Sequence, residues 1–298
     1  MTEDDPFLAA DRFLQREGRL LERRLFATLY QGASPDGVVD VLRGYRNDDG
    51  GFGHGLEPDK RCPASLPIDV EVALQALATA GAADPGLLAP ACDYLSRVAA
   101  EAGAGGAVPL AFPIIERFPR AAHWTDWTYA PSVNPTAGLA GHLHQLGFDH
   151  PWREDATGWC WRQIEAGTLP GEVHGLGEVL VFLGHVPDRE RAGRHAPEVL
   201  KQMAATTMFH AMPRPGEYGL TPLHVAPTAD APWRGLFDDT QIEAHLDHLA
   251  GAQLPDGGWP VTWEPPGQAS LMDWRGIVTL QALRTLTSYG RLSPTAAA

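Results

Sequence analysis

The stretch Gly251-Ala-Gln-Leu-Pro-Asp-Gly-Gly-Trp259 occurs a second time, in altered form, as Gly44-Tyr-Arg-Asn-Asp-Asp-Gly-Gly-Phe52. Both copies end in Asp-Gly-Gly followed by an aromatic residue. Each leads through a loop to a helical segment, which holds Ala73-Leu-Gln-Ala-Leu77 after one copy and Thr279-Leu-Gln-Ala-Leu283 after the other. A helix, a turn, a loop and a second helix form a unit that cannot bury its apolar face alone. The repeat therefore predicts packed helix pairs.

Apolar residues recur at helical spacing along most of the chain, as at Ile242, Leu246 and Leu249. Several predicted helices begin at Pro, whose fixed φ suits the first helical position. The predicted helices are residues 6–30, 35–46, 67–80, 85–101, 135–146, 151–165, 175–183, 189–208, 238–250 and 271–289. Alternating patterns are rare, and residues 107–115 are the best strand candidate. The sequence predicts an all-α fold in a single domain, residues 1–298.

Two Gly- and Pro-rich loops, residues 102–135 and 212–237, are longer than most loops inside compact domains. Loops of this length are often functional, so we expect both to be ordered and to cap a cavity.

Composition and charge narrow the classes of partner. The chain is 44% hydrophobic and 20% charged, and its formal net charge of −14 disfavours nucleic-acid binding. It has no apolar run of about 18 residues and no basic, apolar leader, which predicts no membrane span and a cytoplasmic location. The three widely spaced cysteines fit reduced thiols better than a disulfide framework.

The segment Gln253-Leu-Pro-Asp-Gly-Gly-Trp259 resembles the QW repeat of squalene–hopene and related terpenoid cyclases, in which Gln is followed by Gly-x-Trp. Similar repeats occur in the β subunits of protein prenyltransferases. The resemblance covers residues 40–80 and 238–290, and at the first copy Arg46 and Phe52 replace the Gln and the Trp. It implies a single α/α toroid, with an inner and an outer ring of helices around a central cavity. It also implies that Gln253 caps a helix end and stacks on Trp259.

The segment Leu236-Phe-Asp-Asp-Thr240 is similar to the Asp-x-Asp-Asp-Thr motif of class II terpene cyclases, whose middle Asp protonates an alkene or epoxide. The resemblance implies acid-initiated cyclisation of a polyprenyl substrate, with Asp238 as general acid and Asp239 beside it. In this chain Leu236 stands at the position of the first Asp of the motif. The cyclases that act on oxidosqualene also lack that first Asp and keep only the middle one. The local alternative is that Asp238 is an ordinary helix cap.

Alkene protonation needs a carboxylic acid held neutral in a dry pocket, and the resulting cation needs aromatic faces. The residues that could line such a cavity are Trp124, Trp127, Tyr129, Trp259, Trp263 and Trp274, with ordinary core packing as the alternative for each. The expected ligand is an apolar or isoprenoid small molecule. No cofactor is predicted, apart from Mg²⁺ if the substrate is a diphosphate. Because typical family members have two toroids, the resemblance is also compatible with an oligomer or a completing partner subunit.

The loop Gly53-His-Gly-Leu-Glu-Pro-Asp59 follows the first repeat turn. His54 and Glu57 could form an acid–base pair or contribute to a metal site, and a solvated turn-rich loop is the alternative. Asp69 and Glu71 follow at the start of a predicted helix, where the resemblance places them at the same cavity mouth as Asp238.

Zinc ligation of the prenyltransferase type is not expected. No Cys follows Cys160, and the polar helix around His245 and His248 favours a solvent-facing surface.

Two other function classes are also compatible with the sequence. A carbohydrate-active α/α-toroid enzyme would pair Glu57 or Asp59 with Asp238 or Asp273, and its carboxyl groups would be about 5–9.5 Å apart. The other class is a non-catalytic binding protein on the same fold, since a fold alone does not define function.

Overall fold

The computed structural model describes residues 5–125 and 128–294, and it confirms the all-α fold. Within these residues no β-strand forms, and the only extended pairings are three isolated bridges. The helices are α1 (Pro6–Glu17), α2 (Leu20–Tyr30), α3 (Asp36–Arg43), α4 (Pro67–Ala80), α5 (Pro85–Ala102), α6 (Val133–Gln145), α7 (Pro151–Ala166), α8 (Val173–His185), α9 (Arg189–Ala204), α10 (Pro222–Val225), α11 (Asp239–Gly251) and α12 (Gln268–Ser288).

The sequence prediction was wrong at three places. His245, expected on a solvent-facing surface, is buried, and its Nε2 lies 3.0 Å from His210 O. The helix predicted over residues 6–30 is two helices, separated at Gly18, whose extended ψ of 145° ends α1. The strand candidate, residues 107–115, is irregular chain that ends in a 3₁₀ turn, Pro113–Arg117. Its apolar residues pack into a cluster with Cys62, Leu66 and Trp124 instead of pairing with a strand.

The chain contacts divide into two compact units. The central unit, Pro35–Thr206, contains α3 to α9. In this unit α6 packs against α4, α7 and α8. In addition, α8 packs against α9, and α5 packs against α7. α6 is therefore the helix around which the central unit is assembled.

The terminal unit combines residues 5–34 with residues 207–294 and contains α1, α2 and α10 to α12. Its long helix α12 packs against α1, α2 and α11. Phe7, Phe26 and Tyr30 form an aromatic cluster between α1 and α2, with ring centroids 5.1–5.7 Å apart. The toroidal arrangement and the single-domain organisation stay predictions.

The two Asp-Gly-Gly-aromatic turns, one in each unit, have the same backbone hydrogen bonds. In the first turn Asn47 N donates to Gly51 O at 2.9 Å, and Gly50 N donates to Asn47 O at 3.0 Å. The corresponding two bonds of the second turn, residues 254–258, are both 2.9 Å long. The sequence repeat is therefore a repeat of local structure.

The first Gly of each turn has a left-handed backbone and lies against a helix. Gly50 has φ of +87° and Gly257 has φ of +93°. A Cβ on Gly50 would lie 2.5 Å from Pro90 O in α5, and a Cβ on Gly257 would lie 2.1 Å from Ala9 O in α1. Both the φ angle and the close backbone contact require glycine.

Gln253 and Trp259 connect the second turn to two helices. Gln253 Nε2 donates to Gly257 O at 2.9 Å and to Pro6 O at 2.8 Å, which ties the turn to the start of α1. The buried Trp259 donates Nε1–H to Leu249 O at 2.7 Å, in the last turn of α11. The indole therefore satisfies one of the carbonyls that a helix end leaves without a partner.

No helix among the described residues has both the length and the apolar composition needed to cross a membrane. Cys62, Cys92 and Cys160 are buried free thiols.

Gly257→Ala is expected to destabilise the chain by about 2 kcal/mol more than Gly290→Ala. Both positions have a left-handed backbone, with φ of +93° and +69°, so both substitutions strain the backbone. A Cβ at Gly290 would meet no atom within 4 Å, whereas one at Gly257 would overlap Ala9 O. Urea denaturation of the two variants measures the difference, and equal losses would show that the contact with α1 is not tight.

Candidate acid–base site

Two glycines on α6 let its neighbours approach closely. Gly138 and Gly141 are three residues apart and therefore share one face of the helix. A Cβ at Gly141 would lie 2.9 Å from the backbone of Phe182 in α8. At Gly138 the space that a Cβ would occupy is taken by two carboxyl groups, one from Glu71 on α4 and one from Glu178 on α8.

Glu71 and Glu178 bring their carboxyl groups together over Gly138. A Cβ on Gly138 would lie 2.1 Å from Glu71 Oε1 and 1.9 Å from Glu178 Oε2, so these oxygens are within about 4 Å of each other. Glu71 is buried, and Glu178 is partly exposed along its side chain while its Oε2 is fully buried. The described residues offer neither of these two oxygens a hydrogen-bond donor other than the facing carboxyl group.

The pair requires a proton. Two ionised carboxylates are acceptors only and would repel each other at this distance in a buried position. A single proton removes the repulsion and makes a hydrogen bond between Glu71 and Glu178. The geometry is that of a carboxyl dyad sharing one proton.

The direction of the pKa shifts agrees with this geometry. Burial raises the pKa of Glu71 well above its ordinary value, and the neighbouring carboxyl of Glu178 raises it further. Burial also raises the pKa of Glu178 to about 7, although the hydrogen bond with Glu71 acts in the opposite direction. The dyad therefore retains a proton at pH values where ordinary glutamates have lost theirs.

The N-terminus of α8 places two more polar residues close to the dyad in sequence. Glu172 caps the helix, accepting from His174 N at 2.8 Å and from Gly175 N. His174 precedes Glu178 by four residues and so shares its helix face. Burial lowers the pKa of His174, Glu172 partly offsets this, and His123 lowers it further. The imidazole of His174 is therefore neutral at neutral pH.

The loop of residues 53–62 buries three charged side chains, Glu57, Asp59 and Lys60. Glu57 N donates to Asp69 Oδ1 at 2.8 Å, which fixes the loop to the first turn of α4, two residues before Glu71. The Glu57 carboxylate accepts from Asp59 N at 3.1 Å and from Lys60 Nζ. Burial raises the pKa of Glu57, and the Lys60 ammonium opposes this rise.

Two contacts join this loop to the 3₁₀ turn Ala122–Trp124. Lys60 Nζ lies 4.3 Å from the ring centroid of Trp124, a cation–π contact. His123 Nε2 lies 3.3 Å from Asp59 Oδ2. Trp124, predicted to line a substrate cavity, is thus buried against a lysine.

Asp238 is the N-cap residue of α11, with Gln241 closing a capping box. Gln241 Oε1 accepts from Asp238 N at 3.2 Å, and the side chain of Asp238 is exposed. Asp239 is also exposed and pairs with Arg234 at 2.6 Å. This is the capping role considered from the sequence, and it differs from the dry pocket that a proton donor for an alkene needs.

His54 and Glu57 have separate partners. The exposed His54 has a left-handed backbone, φ 60°, and its Nε2 lies 2.9 Å from Asn47 Oδ1. Glu57 is buried and pairs with Lys60. The two residues predicted as an acid–base pair therefore belong to different contacts: Glu57 to a buried ion pair with Lys60, and His54 to a surface contact with Asn47.

The predicted aromatic residues are distributed over both units. Tyr129 of the central unit donates its hydroxyl to Glu116 at 2.9 Å. In the terminal unit, Trp263 packs edge-to-face against Trp274, with ring centroids 4.9 Å apart, and against Tyr218, with centroids 5.5 Å apart. Trp259 caps α11, and Trp127 lies outside the described residues. Residues 5–125 and 128–294 contain no group of three or more His, Cys, Asp or Glu arranged to hold a metal ion.

Glu71 stands out in the sequence at the start of a predicted helix, whereas Glu178 was not predicted. The feature that distinguishes Glu178 is that it is a lone acid in an apolar helix. Residues 175–184 read Gly-Leu-Gly-Glu-Val-Leu-Val-Phe-Leu-Gly, in which Glu178 is the single charge. A lone acid in a buried helix needs a partner or a proton.

No family model matches this chain, and no curated protein matches it. A solved structure, the crystal structure of a protein from Actinoplanes, superimposes with a TM-score of 0.57 at 19% sequence identity. The match covers 95% of this chain and 100% of the other. At this identity the likeness concerns the fold alone.

Proposed function

We propose that this chain is an enzyme that uses general acid–base catalysis, with Glu71 and Glu178 as its proton-transferring pair. The observation that supports the proposal is the apposition, over Gly138, of the buried Glu71 carboxyl group and the buried Oε2 of Glu178. Such a pair has a raised pKa and is unfavourable for folding at neutral pH, because it must hold a proton or bury repelling charges. Strongly perturbed carboxyl groups of this kind are typical of catalytic sites.

The pair can transfer a proton in either direction. The protonated carboxyl is a general acid, and its ionised neighbour is a general base that also stabilises the anion left after donation. A pKa of about 7 for Glu178 lies close to neutral pH, where acid and base forms coexist and general catalysis is most efficient.

Acid-initiated cyclisation of a polyprenyl chain is the specific reaction that we propose. It needs a neutral carboxylic acid shielded from water, a requirement that Glu71 meets in the central unit and the exposed Asp238 does not. The oxygens of Glu71 and Glu178 are within about 4 Å of each other, closer than the carboxyl separations of about 5–9.5 Å in glycosidases. The dyad therefore favours proton donation to an apolar substrate over glycoside hydrolysis.

A substrate screen tests the reaction class. Purified protein is incubated with squalene and with prenyl diphosphates, each with and without Mg²⁺, and with oligosaccharides, and products are identified by mass spectrometry. Cyclised isoprenoid products that form without Mg²⁺ are the expected result. Oligosaccharide cleavage that requires Glu71 would instead establish the carbohydrate-active alternative, and absence of turnover on every substrate would contradict the proposed reaction.

The proton on the dyad is testable without a substrate. Because folding raises the pKa of both carboxyl groups, the folded chain binds more protons than the unfolded chain between about pH 5 and 7. The stability contributed by these groups is present below the unfolded pKa and is lost as pH rises through about 7. We expect the free energy of unfolding of the wild type, relative to a Glu71→Gln/Glu178→Gln variant, to fall with rising pH by up to about 1.4 kcal/mol per pH unit per group.

Comparison with the double variant is necessary because other groups titrate in the opposite sense. Burial lowers the pKa of His142 and of His144 to about 4, so both destabilise the folded chain as pH falls below about 6.5. These histidines are present in both proteins, and their contribution cancels in the difference. A pH-independent difference, measured by urea denaturation, would show that the dyad holds no extra proton.

A further inference from the structure

A cavity of about 500 Å³ lies between α5 and α7 of the central unit. Its walls do not include Glu71, Glu178 or the loop of residues 53–62. The volume is within the range of about 300–1,000 Å³ that small-molecule sites occupy. The cavity is therefore separate from the acid–base site.

One wall of the cavity is a glycine-rich turn that follows α5. Gly103, Gly105 and Gly106 all have left-handed backbone angles, with φ of +61°, +62° and +103°. A Cβ at Gly106 would lie 2.7 Å from the N atom of Ala156 in α7, so the turn meets α7 backbone to backbone. The turn thus forms a wall without side chains.

The opposite wall is one face of α7. Asp155, Gly158 and Arg162 line the cavity at positions i, i+3 and i+7, which share a helix face. Seven residues correspond to about 10 Å along the helix axis. The guanidinium of Arg162 folds back over Gly158, and its Nη1 lies 3.5 Å from where a Cβ of Gly158 would be.

Both charges are available to a ligand. Within residues 5–125 and 128–294, neither Asp155 nor Arg162 has an ion pair or a side-chain hydrogen bond. Glu154, which also lines the cavity, is paired with Arg153 at 2.6 Å. Arg162 Nη2 lies 3.6 Å from where a Cβ of Gly105 would be, so the guanidinium extends towards the glycine wall.

We propose that this cavity binds a small zwitterion, a free α-amino acid, with its carboxylate on Arg162 and its ammonium group on Asp155. The planar guanidinium can bind a carboxylate through two parallel hydrogen bonds. The carboxylate of Asp155 supplies the matching acceptor for an ammonium group. Ser96, Ala99 and Ala100 of α5 also line the cavity, and their small side chains leave room for the body of the ligand.

Isothermal titration calorimetry of the full chain tests the proposal, with each common α-amino acid as a probe in turn. At least one is expected to bind with a Kd in the millimolar range or below. For that amino acid, Arg162→Gln is expected to weaken binding about 10- to 100-fold, because a charge-assisted pair is lost. Lys201→Gln on α9 removes an equal charge from an exposed side chain and is expected to leave Kd unchanged.

The deaminated analogue of the same amino acid lacks the ammonium group and therefore tests the contact with Asp155. Wild type is expected to bind it about 10-fold more weakly than the amino acid, and Asp155→Asn is expected to abolish that preference. The proposal is overturned if no amino acid binds saturably, if Arg162→Gln binds like wild type with an unchanged circular dichroism spectrum, or if the analogue binds as tightly as the amino acid. None of these results depends on catalysis by Glu71 and Glu178.

Discussion

Glu71→Gln will lower the turnover of the proposed enzyme by about 10²- to 10⁴-fold, the usual contribution of a general acid, and will leave the chain folded. A glutamine has the shape of the protonated glutamate and can donate an amide hydrogen to Glu178, so the contact over Gly138 is kept. It has no acidic proton to give to a substrate. The measurement is kcat and KM with the substrate that the screen identifies, and we expect the loss to fall on kcat.

The matched control for this substitution is Glu190→Gln on α9. Its side chain is 88% exposed and makes an ion pair with Arg194, four residues along the same helix. We expect its turnover to equal that of the wild type. Glu178→Gln should also be impaired, because the donor loses the carboxylate that tunes its pKa. If Glu71→Gln turns over as fast as Glu190→Gln, Glu71 is not the proton donor.

Gly138→Ala separates the two carboxyl groups without removing either. The new methyl group would need the space that Glu71 Oε1 and Glu178 Oε2 now occupy, and both are ends of side chains that can rotate away. We therefore expect the chain to fold and the proton shared by the dyad to be lost. The readout is the pH profile of turnover, in which the titration near pH 7 should disappear.

The repeated turns could be predicted from the sequence because they are local. Asp49 and Asp256 each accept a hydrogen bond from the second glycine of their own turn, at 3.0 Å and 3.1 Å. The left-handed φ of Gly50 and Gly257 is a property that only glycine adopts readily. When all hydrogen bonds of a motif lie within a few residues, the sequence of those residues is enough to predict it. The helix starts at Pro67, Pro85 and Pro151 were predictable for the same reason.

The dyad could not be predicted because it is not local. Glu71 and Glu178 are far apart in sequence, and the close packing of α4 and α8 on α6 brings them together. No spacing rule links the two positions. Asp238 shows the opposite problem, since the same local pattern suits a catalytic acid and a helix cap. Only the exposure of the side chain separates the two interpretations.

Lys60→Met will destabilise the chain by about 3–5 kcal/mol, because it leaves the carboxylate of Glu57 buried without its cation. The Lys60 side chain is 1% exposed and that of Glu57 is 8% exposed, so solvent screens neither charge. Methionine keeps most of the apolar stem that packs against Trp124, and the loss therefore reports mainly on the ion pair. The free energy of unfolding from urea denaturation is the measurement. Lys201→Met, at a side chain that is 79% exposed, should change it by less than about 0.5 kcal/mol.

The effect of Lys60→Met should depend on pH in a defined direction. Burial already raises the pKa of Glu57, and losing Lys60 raises it further, so the variant relieves the buried charge by taking up a proton. Such a group contributes stability below its unfolded pKa and loses it as pH rises through its folded pKa. The destabilisation should therefore be smaller near pH 5 than near pH 8. Adding Glu57→Gln to Lys60→Met should recover part of the lost stability, because it removes the unpaired charge. If the double variant shows only the sum of the two single losses, Glu57 and Lys60 are not coupled, and the loop of residues 53–62 is held by other contacts.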